Sequence, residues 1–441
     1  MVEIQIPEKV NKIIHTLQEH GYEAYAVGGC VRDSFLGREP MDWDITTSAM
    51  PEETKALFPH TFDTGIEHGT ITVLLDHEGF EVTTYRVDGK YEDSRHPKEV
   101  IFVRNLKEDL LRRDFTINAM AYNEKEGLVD IFGGMDDLKA GIIRCVGNAQ
   151  ARFSEDALRI LRGIRFAAQL GFELEDETRE GMRLLAPALR KISAERIRVE
   201  LVKTLTSSRP DLLREAWKLG ITKEFLPEFD LAMETTQETV HHMYTVGEHI
   251  LHTLLEVRAD RILRLTMLLH DIGKPYMKTM DADGVAHFKG HPEKSSELAN
   301  EILHRLKFDN DTIRKVTKLV RYHDHRMPVT PAHVRRAIHE IGEDLFPLYL
   351  EVRRADVSAQ SMYQREEKVA DIDGVEKLYH EIMERNECVS LKMLAVTGKD
   401  LIAAGMKPGK EIGQMLEHFL DLVLEHPELN QKEELLKRIE L

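Results

Sequence analysis

Cysteine is scarce in this sequence: three in 441 residues, at Cys30, Cys145 and Cys388. Thiols so few and so far apart exclude a disulfide framework and a thiolate zinc site, and they point to a reducing cytoplasm. No apolar run approaches the length that spans a bilayer, so no membrane partner is expected. The first residues lack a basic segment followed by an apolar one, so no signal peptide is expected. Positive charge is also short. The net charge of −17 argues against indiscriminate nucleic-acid binding, because phosphate repels an acidic surface. Any nucleic-acid site must then be a local groove, and "LLRRDF" (110–115) and "RILRGIR" (159–165) are local basic stretches. Internal repeats and low-complexity linkers are absent. What remains is 42% hydrophobic and 31% charged, a globular balance in a chain too long for one core.

Residues 7–20 carry Val10, Ile13, Ile14 and Leu17 at helical spacing. "EAYAV" reads as a strand broken by Gly28-Gly29, and "VRDSFLG" as a short helix closed by Gly37. "DWDIT", "GTITVLLD", "FEVTTYRV" and "VIFV" are rich in β-branched and aromatic residues and read as strands. The first 150 residues therefore predict a mixed α/β domain. Beyond them the pattern turns helical. "SEDALRILRGIRFAAQLGF" offers Ser154 as N-cap and an apolar face of Leu158, Leu161 and Ile164. "TSSRPDLL" (206–213) is a candidate boundary, with Pro210 at a helix start.

Chemistry concentrates in "YAVGGCVRDSFLGREPMDWDIT" (25–46). Asp42 and Asp44 are two apart, so on a strand they share a face. Two like charges so close are costly unless a cation lies between them. Mg²⁺ suits the role, being held by one or two carboxylates and completed by substrate phosphates. Gly28 and Gly29 let backbone N–H groups approach a triphosphate. Arg32 reaches a phosphate or ribose oxygen. Glu81, in "FEVTTYR", is a candidate third carboxylate.

"VGGCVRD…DWDI", "RRDFTINAMAY" (112–122), "DIFGGMDDL" (130–138), "EDALRILRGIRF" (155–166) and "SAERIRVEL" (193–201) stand in this order. The set resembles the class II tRNA nucleotidyltransferases: CCA-adding enzymes and bacterial poly(A) polymerases of the polymerase-β-like superfamily. The resemblance covers residues 25 to about 205. It implies that Asp42 and Asp44 bind two Mg²⁺ and activate a primer 3′-hydroxyl, while Gly28, Gly29 and Arg32 hold the triphosphate. Arg113, Asp114 and Asn118 match the family's ribose and phosphate contacts. Asp114 and Asn118 share a face if that stretch is helical.

"EDALR" puts Asp156 and Arg159 at i, i+3, one face of a helix. An acceptor and a planar donor fork together can read the Watson–Crick edge of C or A. In the family the matching pair replaces a nucleic-acid template. Arg162 continues that face. Residues 86–100, "RVDGKYEDSRHPKEV", occupy the place of a family loop that helps switch the pocket from C to A.

The second half is rich in histidine: "HHMYTVGEH" (241–249), "LLHDIGKP" (268–275), "GHPEKS" (290–295), "YHDH" (322–325) and "RADVSA" (354–359). This order resembles the HD superfamily of metal-dependent phosphohydrolases. The resemblance implies His242, His270, Asp271 and Asp356 as metal ligands, with His291 and His323 fitting the extra histidines of binuclear members. Imidazole and carboxylate suit Mn²⁺, Fe, Ni²⁺ or Mg²⁺. "TGKDLIAAGMKPGKEIGQML" reads either as a tRNA contact or as a helical hairpin.

The sequence thus predicts an α+β chain: a polymerase-β-like nucleotidyltransferase head at 1–150, a helical neck at 151–210, an HD domain at 211–360 and a helical tail at 361–441. The expected activity is untemplated addition of C, C and A to tRNA 3′ ends from CTP and ATP. One alternative adds only A, as an A-adding enzyme or a poly(A) polymerase. Another makes the HD half, as a phosphatase or 2′,3′-cyclic phosphodiesterase, the main business.

Overall fold

The computed structural model describes residues 3–88 and 100–439. The chain divides into two compact units, Met1–Pro227 and Glu228–Leu441. The division does not fall at the Pro210 segment. Helix Leu213–Lys218 stays with the first unit, where Glu215 and Glu224 pair with Arg179 and Arg190.

Among its described residues the first unit has strands β1 (Ala24–Val27), β2 (Ile45–Thr47), β3 (Thr61–Gly65), β4 (Thr70–Leu75), β5 (Glu78–Thr84), β6 (Arg86–Asp88), β7 (Val100–Phe102), β8 (Met120–Asn123) and β9 (Gly127–Asp130), besides a short pair of Ile142–Ile143 with Glu173–Leu174. Seven form one mixed sheet in the order β3-β4-β5-β2-β1-β8-β9. Within that sheet the described β2 and β5 are the parallel pair, with Ile45 opposite Val82. β4 shows why this segment forms a strand: Ile71 and Val73 alternate inward from a β-branched run. Helix Glu8–Glu19 buries Val10, Ile13, Ile14 and Leu17, as their spacing predicts. Each fully buried side chain contributes about 2 kcal/mol relative to exposure. β6 and β7 pair antiparallel. The base-switching loop expected between them lies outside the described residues.

Two local expectations are corrected. Asp42 and Asp44 are not within a strand; they precede β2, in irregular backbone tied to β1 by the bond from Val27 N–H to the Asp44 carbonyl at 3.0 Å. Ser154 does not cap a helix. It lies inside helix Ala149–Glu155, and a second helix, Leu158–Leu170, starts after a break at Asp156 (φ −140°, ψ 103°). Asp156 accepts from the Leu158 N–H at 3.0 Å, which starts that second helix.

Helix Gly134–Ala140 packs against the 3₁₀ turn Thr116–Asn118. Asp130 anchors its start by accepting from the N–H groups of Gly134 (2.7 Å) and Met135 (2.8 Å). A Cβ on Gly134 would lie 2.3 Å from the Thr116 carbonyl oxygen. Gly134→Ala is therefore expected to cost about 2 kcal/mol of stability, seen as a lower urea midpoint with an unchanged m-value.

The second unit is helical apart from a short ribbon pairing Thr279–Met280 with Ala286–His287. One core gathers Leu319, Ile338, Phe346 and Tyr349; a second, in the tail, gathers Leu401, Phe419, Val423 and Leu435. Among the described residues, no helix is long and apolar enough to cross a membrane.

Candidate functional site

The first unit holds a cavity of about 450 Å³ lined by Gly28, Gly29, Arg32, Asp44, Arg113, Asp114, Asn118, Asp156, Arg159 and Arg162. These residues come from three sequence motifs and meet through folding alone. β1 ends at Val27, and Gly28 follows with a φ of +83° that is open to glycine at little cost. The Arg113 guanidinium sits so close that a Cβ there would be 3.0 Å from its Nη1. Arg32, buried on helix Gly29–Phe35, donates to Asn118 Oδ1 at 2.6 Å and pairs with Asp33 at 2.8 Å. Its guanidinium also lies 5.1 Å from the Phe166 ring centroid.

Asp114 and Asn118 are joined by an extended segment and a 3₁₀ turn, not by an α-helix. They still meet, with Asn118 Nδ2 donating to Asp114 Oδ1 at 3.3 Å. Arg162 closes on Asp114 Oδ2 at 2.7 Å. Burial alone would raise the Asp114 pKa, but the charge and hydrogen bond of Arg162, with Arg159 nearby, bring it down to about 2. Asp114 is thus a fixed anion that orients the cations around it.

Asp42 lines an adjoining cleft of about 350 Å³ with Asp44, Glu78 and Glu81. Asp44 alone borders both spaces. The parallel register of β2 and β5 carries Glu81 alongside Asp44, into the same cleft as both aspartates. The surrounding protein raises the Asp44 carboxyl above its usual pKa; Arg113 opposes this and Asp42 adds to it. Carboxylates crowded in this way accommodate a divalent cation.

The helix break at Asp156 means that Asp156 and Arg159 do not share a helix face. Their side chains nonetheless line one cavity. Arg159 donates to Glu155 (2.6 Å) and to the Arg112 carbonyl (2.8 Å). Asp156 is held by Arg196, which the sequence reading assigned no role. Arg112 also lines the cavity. Its signal was the "RRD" run itself, which places Arg112 and Arg113 as ion-pair partners of the fully buried Asp109.

The second unit brings together the ligating atoms of His249, His270, Asp271 and Asp356, with Asp271, His291 and His323 forming an adjoining group; within each group the atoms lie within 4.8 Å of one another. His249, on helix Val246–Glu256, stands where His242 was expected. His242 lies in irregular backbone; its ring packs against His249 and its Nε2 is 3.5 Å from Lys274 Nζ. Burial and the Lys274 charge push its pKa down to about 2, so it stays neutral. The clue missed was spacing: three residues after the helix-capping Thr245 comes Glu248, and His249 then faces the core from the first turns.

Each of the four histidines turns Nδ1 to a backbone carbonyl: His249 to Ala359 (3.4 Å), His270 to Met267 (2.8 Å), His291 to Phe288 (2.9 Å) and His323 to Val320 (2.6 Å). A carbonyl only accepts, so in His270, His291 and His323 Nδ1 carries the proton and Nε2 presents a lone pair, whereas His249 also sets Nε2 2.9 Å from Asp356 Oδ1. Those Nε2 atoms meet in pairs, His249 with His270 at 3.4 Å and His291 with His323 at 3.2 Å. Between His291 and His323 the facing lone pairs repel, and a cation between them removes the repulsion. Asp271 lies between the pairs, 3.3–3.5 Å from all four Nε2 atoms. Lys274 Nζ is 2.7 Å from Asp271 Oδ2. Burial works against charge on Asp271, but the Lys274 ammonium holds its pKa well below the usual range. The donor set fits one or two divalent transition metals with Asp271 as the shared ligand.

The "Poly A polymerase head domain" model matches residues 24–144, the model for the RNA- and SrmB-binding site of polymerase A matches 171–233, and that of "tRNA nucleotidyltransferase domain 2" matches 287–439. The CCA-adding enzyme of Limosilactobacillus reuteri is 35% identical over 98% of this chain and 96% of its own length. That of Enterococcus faecalis is 36% identical over 96% of this chain and 93% of its own. The crystal structure of Bacillus stearothermophilus CCA-adding enzyme in complex with CTP superposes with a TM-score of 0.72 at 28% identity, covering 98% of each chain. The Thermotoga maritima CCA-adding enzyme complexed with tRNA_CCA shares the fold, with a TM-score of 0.62 at 22% identity over 99% of this chain and 97% of its own. The glycine turn, the paired aspartates and the arginine-lined cavity all lie within stretches that align along nearly the full length of such relatives, and the chain belongs to the CCA-adding enzyme family of tRNA nucleotidyltransferases.

Proposed function

We propose that the first unit adds C, C and A in turn to the 3′ end of tRNA, with CTP and ATP as donors and no nucleic-acid template. The observation that carries this reading is the single cavity in which the Gly28-Gly29 turn, Asp44 and the pair Asp156 and Arg159 meet. The CTP complex of the Bacillus relative and the tRNA complex of the Thermotoga relative support it.

Asp42 and Asp44, with Glu81 as a third carboxylate, would hold two Mg²⁺. Such ions, when bound, lower the cost of charge on the attacking and leaving oxygens. The primer 3′ oxygen displaces pyrophosphate from the α-phosphorus of the nucleotide. The Gly28 N–H is bonded to the Met120 carbonyl at 3.1 Å, so the backbone N–H of Gly29 and the cations of Arg32 and Arg113 hold the triphosphate. Asn118, fixed by Arg32 and Asp114, meets the ribose. Asp156 accepts from the exocyclic amine that C and A share, and Arg159 donates to the neighbouring ring acceptor. The few scattered cysteines suit a reducing cytoplasm.

Incubation with tRNA lacking its tail and with tRNA ending in CC tests the reading. Both substrates are expected to be extended, and extension is expected to stop at CCA. Extension of the CC-ended tRNA alone would make the protein an A-adding enzyme, and unlimited A addition a poly(A) polymerase.

The four Nε2 atoms converging on Asp271 favour a second activity in the other unit. Loaded with Mn²⁺, Ni²⁺, Fe or Mg²⁺, this centre would hydrolyse phosphate esters, as a phosphatase or a 2′,3′-cyclic phosphodiesterase. The metal would supply an activated water. Lys274, 2.7 Å from Asp271 and within the same cleft, is placed to meet the phosphate.

A further inference from the structure

We propose that Arg196 is a positioning residue for base selection, its guanidinium fork fixing the plane in which the Asp156 carboxylate meets the incoming base. This rests on reading the first-unit cavity as the CTP and ATP site.

Asp156 stands in the break between two helices, so no helical backbone sets its side-chain direction. Two neighbours set it instead. Arg196 Nη2 donates to Oδ2 at 2.7 Å and Nη1 to Oδ1 at 3.3 Å. The Leu158 N–H holds Oδ1 at 3.0 Å. Arg196 is itself placed by a rigid element: helix Ala194–Leu205 buries Ile197 and Leu201, and Glu200 of the same helix pairs with Arg165 of helix Leu158–Leu170. Arg196 also lines the nucleotide cavity.

An ionised carboxylate only accepts hydrogen bonds. Held in one plane, it is satisfied by the exocyclic amines of C and A and repels the O4 of U and the O6 of G at the same point. A carboxylate free to turn finds other donors, N3–H on U or N1–H and N2–H on G. Discrimination thus needs the carboxylate and also the fork that denies it those alternatives.

Full-length wild-type, Arg196→Met and Arg196→Lys proteins are compared on tRNA lacking its tail, by kcat/KM for CTP and for UTP. In Arg196→Met the CTP-over-UTP ratio is expected to fall about tenfold. Arg196→Lys keeps the charge without the fork. It is expected to recover the CTP rate more than the ratio. A merely structural arginine would lower both rates together and leave the ratio alone. A ratio within twofold of wild type in folded Arg196→Met overturns the proposal; should that variant not fold, the same ratio in Arg196→Lys decides. A wild-type protein that adds neither C nor A overturns the site reading and this inference with it.

Discussion

Asp42→Ala is expected to lower nucleotide addition by at least roughly three orders of magnitude, since cation stabilisation of the displacement is worth several kcal/mol and each factor of ten costs about 1.4 kcal/mol. The same variant should melt no lower than wild type. Asp42 is exposed and raises the Asp44 pKa by repulsion, so its removal relieves strain in the metal-free protein. Loss of activity without loss of stability separates a catalytic role from a structural one. Hydrolysis of 2′,3′-cyclic nucleotides, if measured alongside, should not change, because the histidine centre belongs to the other unit. Full addition activity in Asp42→Ala would remove the paired carboxylates from the mechanism.

His249→Ala is expected to weaken Mn²⁺ or Ni²⁺ binding to the second unit by at least roughly two orders of magnitude. Loss of an outer-shell partner already costs 10- to 100-fold in affinity, and loss of a ligand costs more. His242→Ala should stay within a few-fold of wild type, because its Nε2 faces Lys274 outside the ligand group. Isothermal titration with each metal reads both variants directly. The opposite ranking would return the ligand role to His242. Hydrolysis should follow metal content, and tRNA extension should be unaffected in either variant.

Much of this was legible from residue order. The glycine turn after a strand, the paired aspartates, "RRDF" and the His-Asp dyad are local patterns, and local patterns carry backbone geometry and charge. Helix Glu8–Glu19 followed from its apolar periodicity, and strands β1, β4 and β5 from short runs of β-branched and aromatic residues. Three points were not local. The break at Asp156 is a competition between a continuous helix, favoured by propensity, and an aspartate that accepts from Leu158 and Arg196; the second partner is 40 residues away. His249 and His242 are indistinguishable by composition, and only the packing of helix Val246–Glu256 turns one ring to Asp271. Residues 213–226 looked like the start of a new domain because Pro210 breaks the helical pattern, yet ion pairs to Arg179 and Arg190 keep them with the first unit.

The sequence by itself determined which chemistry the protein carries: two carboxylates with a phosphate turn, and histidines with aspartates in the order of a metal centre. Residue type and spacing suffice for that, because charge, donor number and backbone freedom are properties of the residues themselves. The tertiary structure decided which residues meet. Gly28 and Arg113 touch only because β1 lies beside β8 in the sheet. Asp156 is held at the base position only because a later helix brings Arg196 to it. Both contacts join residues far apart in the chain, and their positions are fixed by the sheet order and helix packing that bury the core.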